Sequence, residues 1–463
     1  MSLPSHQPPP SLIDLATSIL HAAATLQTEL ATHHLPQPDL NSPTSRHNYL
    51  DILPNPTATS ARASLIEATR TLLHLTQGPT DVLRTMVLSD RTAVAVLRVI
   101  HTLKIADAVP PSGEAISLDS LAQTLSVHPV PLTRVLRFAY TLRIFREPVD
   151  MPGYVAHTAL SAAIPSFDPY LWLTLGDTTK VHLAASNFPT ALRRWPTSPT
   201  AVTDSEGRDF WTILQEDDPD GKGMDRFSAA MTTSLRGLQG AGNTHLVEGF
   251  EWDALGSGTV VDVGGGSGGN AVVIARSFPR LRVVVQDLAK NEEPARRNFE
   301  VSGLMEGEWE GCVPEFQAQD FFAPQPEGLR PKAYLLSRIL HDWSDEDALR
   351  ILANLVPAMR KCGTKLFVVE RVLPDRCGDI PLYQETQLRA LDLLMYTTFG
   401  GGCERSAEEW ERLLRRADEG LGIVGIRTRV GSELAMMEGG FCEGVGSVVQ
   451  RAVGVNVGEQ PRL

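Results

Sequence analysis

Apolar positions in the first third of the chain recur at helical spacing. Leu12, Ile13, Leu15, Ala16, Ile19, Leu20, Ala23, Leu26 and Leu30 predict one helix from Ser11 to about Leu30. Pro, Asn and Ser then break the pattern from His33 to Ser60, which predicts a loop. Helical periodicity resumes over Ala61–Leu75 and again around Arg91–Leu103. The stretch Ser117–Phe145 predicts two short helices with a tight turn at His128–Pro131, and Gly153–Thr158 predicts a short strand. Two helices followed by a small β-wing outline a winged helix. From Arg193 to about Lys222 the composition shifts to Pro, Ser, Thr, Asp and Gly, predicting loops around a short helical piece. From Thr259 onward strand-like runs alternate with helical ones, the pattern of an α/β domain with a mostly parallel sheet. The expected organisation is a helical extension over 1–60, the winged helix over 61–190, linker and pocket helices over 191–245, and the α/β domain over 246–455.

Composition narrows the partners. A net charge of -13 argues against nucleic acid or an anionic membrane as the main partner. Arg134, Arg137 and Arg143 near the second helix raise a DNA-binding reading. The acidic balance favours a solvated face instead, with Val135, Leu136 and Phe138 packed inward. The paired acids Asp217 and Asp218 read as a solvated loop. Five widely spaced cysteines, without a CxxC pair, imply reduced thiols in a cytoplasmic compartment and offer no zinc cage. No signal-peptide pattern opens the chain, and no apolar run reaches the length of a membrane span.

The candidate chemistry begins at "TVVDVGGGSGGNAVVIARSF". The β-branched run Thr259–Val263 predicts a strand buried on both faces. Gly264, Gly265 and Gly266 then let the backbone turn sharply and approach a ligand, which the following helix meets with its N-terminal N–H groups. Gly264, Gly266 and Gly269 satisfy GxGxxG, and the next strand ends in Asp287, placed to accept from ribose hydroxyls. Ribose is common to NAD and to S-adenosylmethionine, so both cofactors stay open here. Asp320 can accept from an adenine amino group, with Phe321 flanking the ring.

The segment "LLSRILHDWSDEDALRIL" predicts a buried strand running into a capped helix, with one imidazole, His341, between them. Ser344 and Asp347 resemble a helix-start box, which allows a bystander histidine. The cofactor loop and the later acids favour a proton acceptor.

At "VVDVGGGSGG", "QDL", "QDFF", "ILHDWSDEDALRIL", "VVERVLP" and "GGGCERSAEEWERLL", in this order, the sequence resembles the caffeic-acid-type O-methyltransferases of plants and fungi. The stretch "EPVDMPGYVAHTALSAAI" and the long N-terminal extension are more similar to fungal polyketide O-methyltransferases of the sterigmatocystin and aflatoxin-pathway type. The resemblance implies a Rossmann-like S-adenosylmethionine domain preceded by a mainly helical winged-helix dimerisation domain, a homodimer, and a phenolic acceptor. It implies that Gly264–Gly266 hold the methionine part of the cofactor, Asp287 the ribose, and Asp320 with Phe321 the adenine. It implies His341 as general base, flanked by Glu370 and Glu404. Ser337 stands where plant relatives carry a cofactor-contacting Lys, with Arg338 adjacent as the substitute contact. Phe399 stands where those enzymes often carry a substrate-binding Asn, which argues against a monolignol substrate.

A phenol with a pKa near about 10 is a poor nucleophile, and a histidine near about 6.5 takes its proton uphill by roughly 5 kcal/mol. A carboxylate on the other ring nitrogen stabilises imidazolium and fixes the tautomer. Phe227, Met231, Trp343, Met395 and Phe399 can wall a dry pocket, where loss of charge along the reaction is favoured. No residue pattern predicts a metal. Other readings are a winged-helix regulator with a degenerate methyltransferase domain, a nicotinamide dehydrogenase, and methyl transfer to nitrogen or carbon.

Overall fold

Ser11 starts the first helix, Leu12–Thr32: its hydroxyl accepts from the Asp14 N–H while the Asp14 carboxylate accepts from the Ser11 N–H, a reciprocal box that satisfies two orphan donors. A computed structural model describes residues 10–45, 55–177, 179–194, 210–216, 244–305, 309–399, 401–428 and 434–441, with pieces at 222–223, 226–227, 229–231 and 233. Asp217 and Asp218 lie outside them, as does Cys442; Cys312, Cys362, Cys377 and Cys403 are free thiols. The chain divides into two compact units, the first up to Gly176 and the second comprising most residues from Asp177 on. Among the described residues, no helix is long and apolar enough to cross a membrane.

In the first unit a helix covers Pro56–Arg84 rather than beginning at Ala61. Pro56 sits in its first turn, where a missing N–H costs nothing, and Asn55 caps it. Gly78 (φ 74°), just before Pro79, leaves helical geometry and marks a kink between two helical stretches. Helices Leu118–Thr124 and Pro129–Thr141 follow. The turn between them falls before the expected His128–Pro131, because His128 is the cap and both prolines enter the first helical turn. Strand β1 (Ile116–Ser117) pairs antiparallel with β2 (Tyr154–Val155), completing the wing. Arg134 and Arg137 are exposed, Leu136 is buried, and Val135 and Phe138 pack against the core with it. Arg143 lies beyond the helix end, in a left-handed conformation.

The second unit is built on one mixed sheet. Its strands are β3 (Thr259–Val263), β4 (Arg282–Asp287), β5 (Glu315–Ala318), β6 (Ala333–Ser337), β7 (Lys365–Leu373), β8 (Arg405–Ser406), β9 (Leu421–Thr428) and β10 (Leu434–Phe441). The order is β5-β4-β3-β6-β7-β10-β9, parallel from β5 to β7, with β10 antiparallel to both neighbours and β8 alongside β7. Side chains alternate between two cores. Val260, Val283, Leu335 and Phe367 face one way with Ile274 and Phe299. Val261, Tyr334, Leu336 and Val368 face the other with Ile351, Leu355 and Trp410. Burial on both faces explains the continuous apolar runs, and each fully buried aliphatic side chain contributes about 1.5–3 kcal/mol. The chain winds one way from β3 to β5 and the other way through β6 and β7, so a crevice opens where the carboxyl ends of β3 and β6 diverge. The glycine loop leaves β3 there, and the histidine segment leaves β6.

Candidate active site

The first wall of the crevice is the glycine loop. Gly264 and Gly266 have φ of 72° and 56°, conformations that side chains disfavour. A Cβ on Gly264 would stand 2.6 Å from Ile339 Cδ1 and 3.4 Å from Phe321 Cε1. The loop therefore lies directly against the segment that carries His341, two residues after Ile339. At Gly265 a Cβ would meet the Asp262 carboxylate at 2.6 Å, whereas over Gly266 the space is open. Asp287 accepts from the Gly266 N–H, the Leu288 N–H and the Asn291 amide, each at 2.7 Å. That leaves about one of its four acceptor sites for a ligand hydroxyl. Asp320 is exposed and accepts from the Phe322 N–H, while Phe321 and Phe322 pack edge-on against Trp343.

Two residues here escape sequence reasoning or gain weight from the fold. Asp262 is buried beneath the glycine loop, where burial pushes its pKa up to about 7 against the opposing pull of the Asn270 side chain. A buried carboxyl so sparsely paired can take a cation or donor from a ligand. Arg338 has φ 56°, a strained setting for a non-glycine residue. Burial lowers its pKa, with Arg371 adding to that and Glu370, Asp342 and Asp262 opposing it. Its guanidinium completes no hydrogen bond or ion pair among the described residues.

The second wall is the histidine cluster. His341 lies in a single turn, Leu340–Asp342, between β6 and the helix Asp345–Cys362, whose cap is the Ser344 hydroxyl accepting from the Asp347 N–H. Only half of the expected helix-start box forms, since Asp347 accepts from the Ser344 hydroxyl rather than its N–H, and the histidine takes no part in it. His341 is 6 % exposed, with Nδ1 3.0 Å from Glu404 Oε1 and 3.6 Å from Glu370 Oε2. The other ring nitrogen, Nε2, is 3.5 Å from Asp342 Oδ1. With Nδ1–H donating to the acids, Nε2 keeps a lone pair. Glu370 lies within β7, paired opposite Ala435 and not at the strand end, and its Oε1 accepts from the Ile339 and Leu340 N–H groups, both at 3.0 Å. Glu404 is held by the Asp392 carboxylate, which accepts from its N–H, and by Arg371 Nη1 at 3.4 Å. Gly402 permits the closest approach of this loop, since a Cβ there would stand 2.6 Å from the His341 carbonyl oxygen.

Charge decides what the ring can do. Burial disfavours imidazolium, but Glu370, Asp342 and Glu404 together outweigh it and push His341 up to about 9. Burial raises Glu370 to about 7 and Asp342 to about 6, with His341 pulling each the other way. Burial also works against the Glu404 anion, yet His341 and Arg371 prevail and hold its pKa below the ordinary value. The donor atoms of His341, Glu370 and Glu404 fall within 4.8 Å of one another, a spacing that can hold an ion and that the sequence did not predict. Arg371 beside Glu404 already supplies a cation, which favours a proton site over a metal site.

The expected pocket residues separate into groups. Phe227 and Phe399 join Phe210 and Trp211 in one aromatic cluster, with ring centroids 5.0–5.9 Å apart. Trp343 belongs with Phe321 instead. Met395 is half-buried one turn before Phe399, whose N–H donates to the Met395 carbonyl, and Met231 is half-buried close in sequence to Phe227. Phe210 and Trp211 follow a Pro-, Ser- and Thr-rich stretch whose composition hid them.

Comparison with known proteins completes the picture. The O-methyltransferase domain family matches residues 211–418, and the O-methyltransferase dimerisation domain matches residues 88–164. The chain is 33% identical over 441 residues to O-methyltransferase aurJ of Gibberella zeae, covering 93% of this chain and 97% of that protein. It is 32% identical over 401 residues to O-methyltransferase VdtC of Byssochlamys spectabilis, covering 84% and 88%. A solved O-methyltransferase, NcsB1 from neocarzinostatin biosynthesis, in complex with S-adenosylmethionine and 2-hydroxy-5-methyl naphthoic acid, is 25% identical. It covers 76% of this chain and 96% of its own, with a TM-score of 0.59. OxaC shares the fold at 18% identity, with a TM-score of 0.69 over 92% of this chain and all of its own.

Proposed function

This chain belongs to the S-adenosylmethionine-dependent O-methyltransferases that carry a dimerisation domain, and from that premise we propose that it methylates a phenolic hydroxyl of an aromatic, polyketide-derived metabolite with His341 as general base. Membership sets aside the nicotinamide reading of the glycine loop. The carrying observation is the buried ring of His341, 3.0 Å from Glu404 and on a turn packed against the glycine loop.

The residues fit the cofactor. Gly266 leaves open space beside the loop that Gly264 and Gly265 let pack closely, Asp262 offers a buried acceptor for its ammonium, and Arg338 a guanidinium for its carboxylate. Asp287 takes the ribose, and Asp320 with Phe321 the adenine. When bound, S-adenosylmethionine supplies an electrophilic methyl group. The rest falls to the chain. Nε2 of His341 takes the proton from the acceptor hydroxyl, while Glu404, backed by Glu370, steadies the resulting imidazolium. From the neutral ring, with His341 at about 9 and a phenol near about 10, the transfer is uphill by about 1 unit, or ~1.4 kcal/mol, against roughly 5 kcal/mol for an ordinary histidine. Below about pH 9 the ring must first give up its own proton. The cluster of Phe210, Trp211, Phe227 and Phe399 suits a flat aromatic acceptor. The dimerisation domain supports a homodimer.

One screen tests the reading: purified protein, cofactor and a panel of phenolic polyketides, followed by mass spectrometry for products heavier by one methylene. Excess EDTA should leave the yield unchanged; a loss restored by one divalent cation would move the histidine cluster to metal chemistry. The pH profile adds a second check. Below its pKa His341 carries a proton and cannot accept another, so kcat/KM should rise with pH and level off near about 9. A profile already flat at pH 6 contradicts the charge arrangement.

A further inference from the structure

Arg405 is 2 % exposed, and for a guanidinium such burial needs several partners. It has them. Nε donates to Asp345 Oδ1 at 3.0 Å, Nη1 to the Leu340 carbonyl at 2.9 Å and the Cys403 carbonyl at 3.3 Å, and Nη2 to the Trp343 carbonyl at 3.0 Å. The group lies over the Trp410 ring, 5.0 Å from its centroid.

The sequence positions of these acceptors matter. Leu340 immediately precedes His341 and Trp343 follows it by two, so both ends of the histidine turn hang on one side chain. Cys403 immediately precedes Glu404. The Arg405 backbone, in β8, pairs with Val372 of β7, the strand that carries Glu370. We propose that Arg405 is a positioning residue that fastens the histidine turn to the glutamate loop and so sets the reach between His341 and Glu404.

This role rests on His341 being the base. It also requires arginine in particular. A guanidinium presents five N–H donors in a rigid planar fork, whereas an ammonium concentrates three at one point and cannot span carbonyls on two loops. Without the fork, the turn and the loop drift apart, and Glu404 loses its share of the charge around the ring. The charged groups around His341 are Glu370 from β7, Asp342 from its own turn and Glu404 from the facing loop, with Arg371 beside Glu404 and Arg338 near Asp342. Arg405 reaches the Glu404 loop through the Cys403 carbonyl and also lends positive charge to Glu370.

The test is Arg405→Lys in the full-length protein. A misplacement of about 1 Å is enough for a loss of about 10²-fold in kcat. Cofactor affinity by calorimetry should stay within about twofold, since Arg405 touches neither the glycine loop nor Asp287. The rising limb of kcat/KM should move to lower pH. A variant with wild-type kcat overturns the proposal, and so does one whose kcat falls with the limb unmoved, which marks a merely structural residue. If Arg405→Lys does not fold, Asp345→Asn weakens the outer edge of the fork and is judged by the same two readouts. Wild-type protein whose turnover ignores His341 would defeat the underlying base assignment instead, a result separable from any of these.

Discussion

Replacing His341 by Gln should lower the single-turnover rate of methyl transfer by about 10³-fold, within the range a positioned base supplies. Calorimetric titration with S-adenosylmethionine should meanwhile be close to wild type. The expectation follows from where the ring sits. Nε2, 3.5 Å from Asp342 Oδ1, is the nitrogen that keeps its lone pair once Nδ1–H donates to Glu404, and glutamine has no group that accepts a proton at neutral pH. Its amide can still occupy the buried site and donate to the acid, so the fold survives. Loss of the imidazole also leaves Glu370 and Glu404 with less positive charge nearby. They answer by taking up protons rather than by unfolding the chain. Undiminished turnover in a folded Gln variant would remove His341 from the mechanism.

The second large effect is expected from Glu404→Gln, and its signature is a loss that depends on pH. Glu404 contributes both charge and a hydrogen bond to holding His341 at about 9. With a neutral amide in its place, the ring falls toward the ordinary value of about 6.5, and proton transfer from a phenol climbs by up to ~3.4 kcal/mol. Glu370 and Asp342 remain, so the plateau rate should drop by about 10²-fold, less than the roughly 10⁴ seen when a lone orienting carboxylate is removed. The lowered pKa also means that more of the ring is neutral at pH 6.5 than in wild type. The deficit should therefore be greatest at alkaline pH and shrink on acidification. A constant deficit from pH 6 to 10 would mean that Glu404 acts through something other than the proton affinity of His341.

How far the sequence disclosed this site depended on the kind of residue. Gly264–Gly266 announced themselves because side-chain-free turns between a β-branched run and a helix have few other uses. His341 read as a candidate base only together with the glycine loop, Asp287 and the later glutamates, since the helix start beside it allows a bystander histidine. Asp262 was not, since one acid inside "TVVDV" reads as part of an apolar strand; only the fold reveals that it is a buried carboxyl beneath the glycine loop. Arg371 and Arg405 each follow a glutamate that drew the attention, and their value lies in contacts made across loops, which no local period encodes. The fold followed the same logic. The two-sided apolar strands of the parallel sheet were plain. The helix Pro56–Arg84 was expected only over Ala61–Leu75, because Pro, Asn and Ser assigned its first turn to the preceding loop, yet here Pro56 enters that turn and helix continues past the kink at Gly78.

The two acids behind His341 are mounted differently. Glu370 stands in β7, paired opposite Ala435 of β10 and one residue past the end of the pairing with β6, whereas Glu404 stands on a loop secured by side chains. The imidazole is thus gripped by a vice with one jaw cast into the frame and the other bolted on. Any change in the width of the grip therefore has to come from the bolted jaw, through Asp392, Arg371 and the Arg405 fork that holds Cys403.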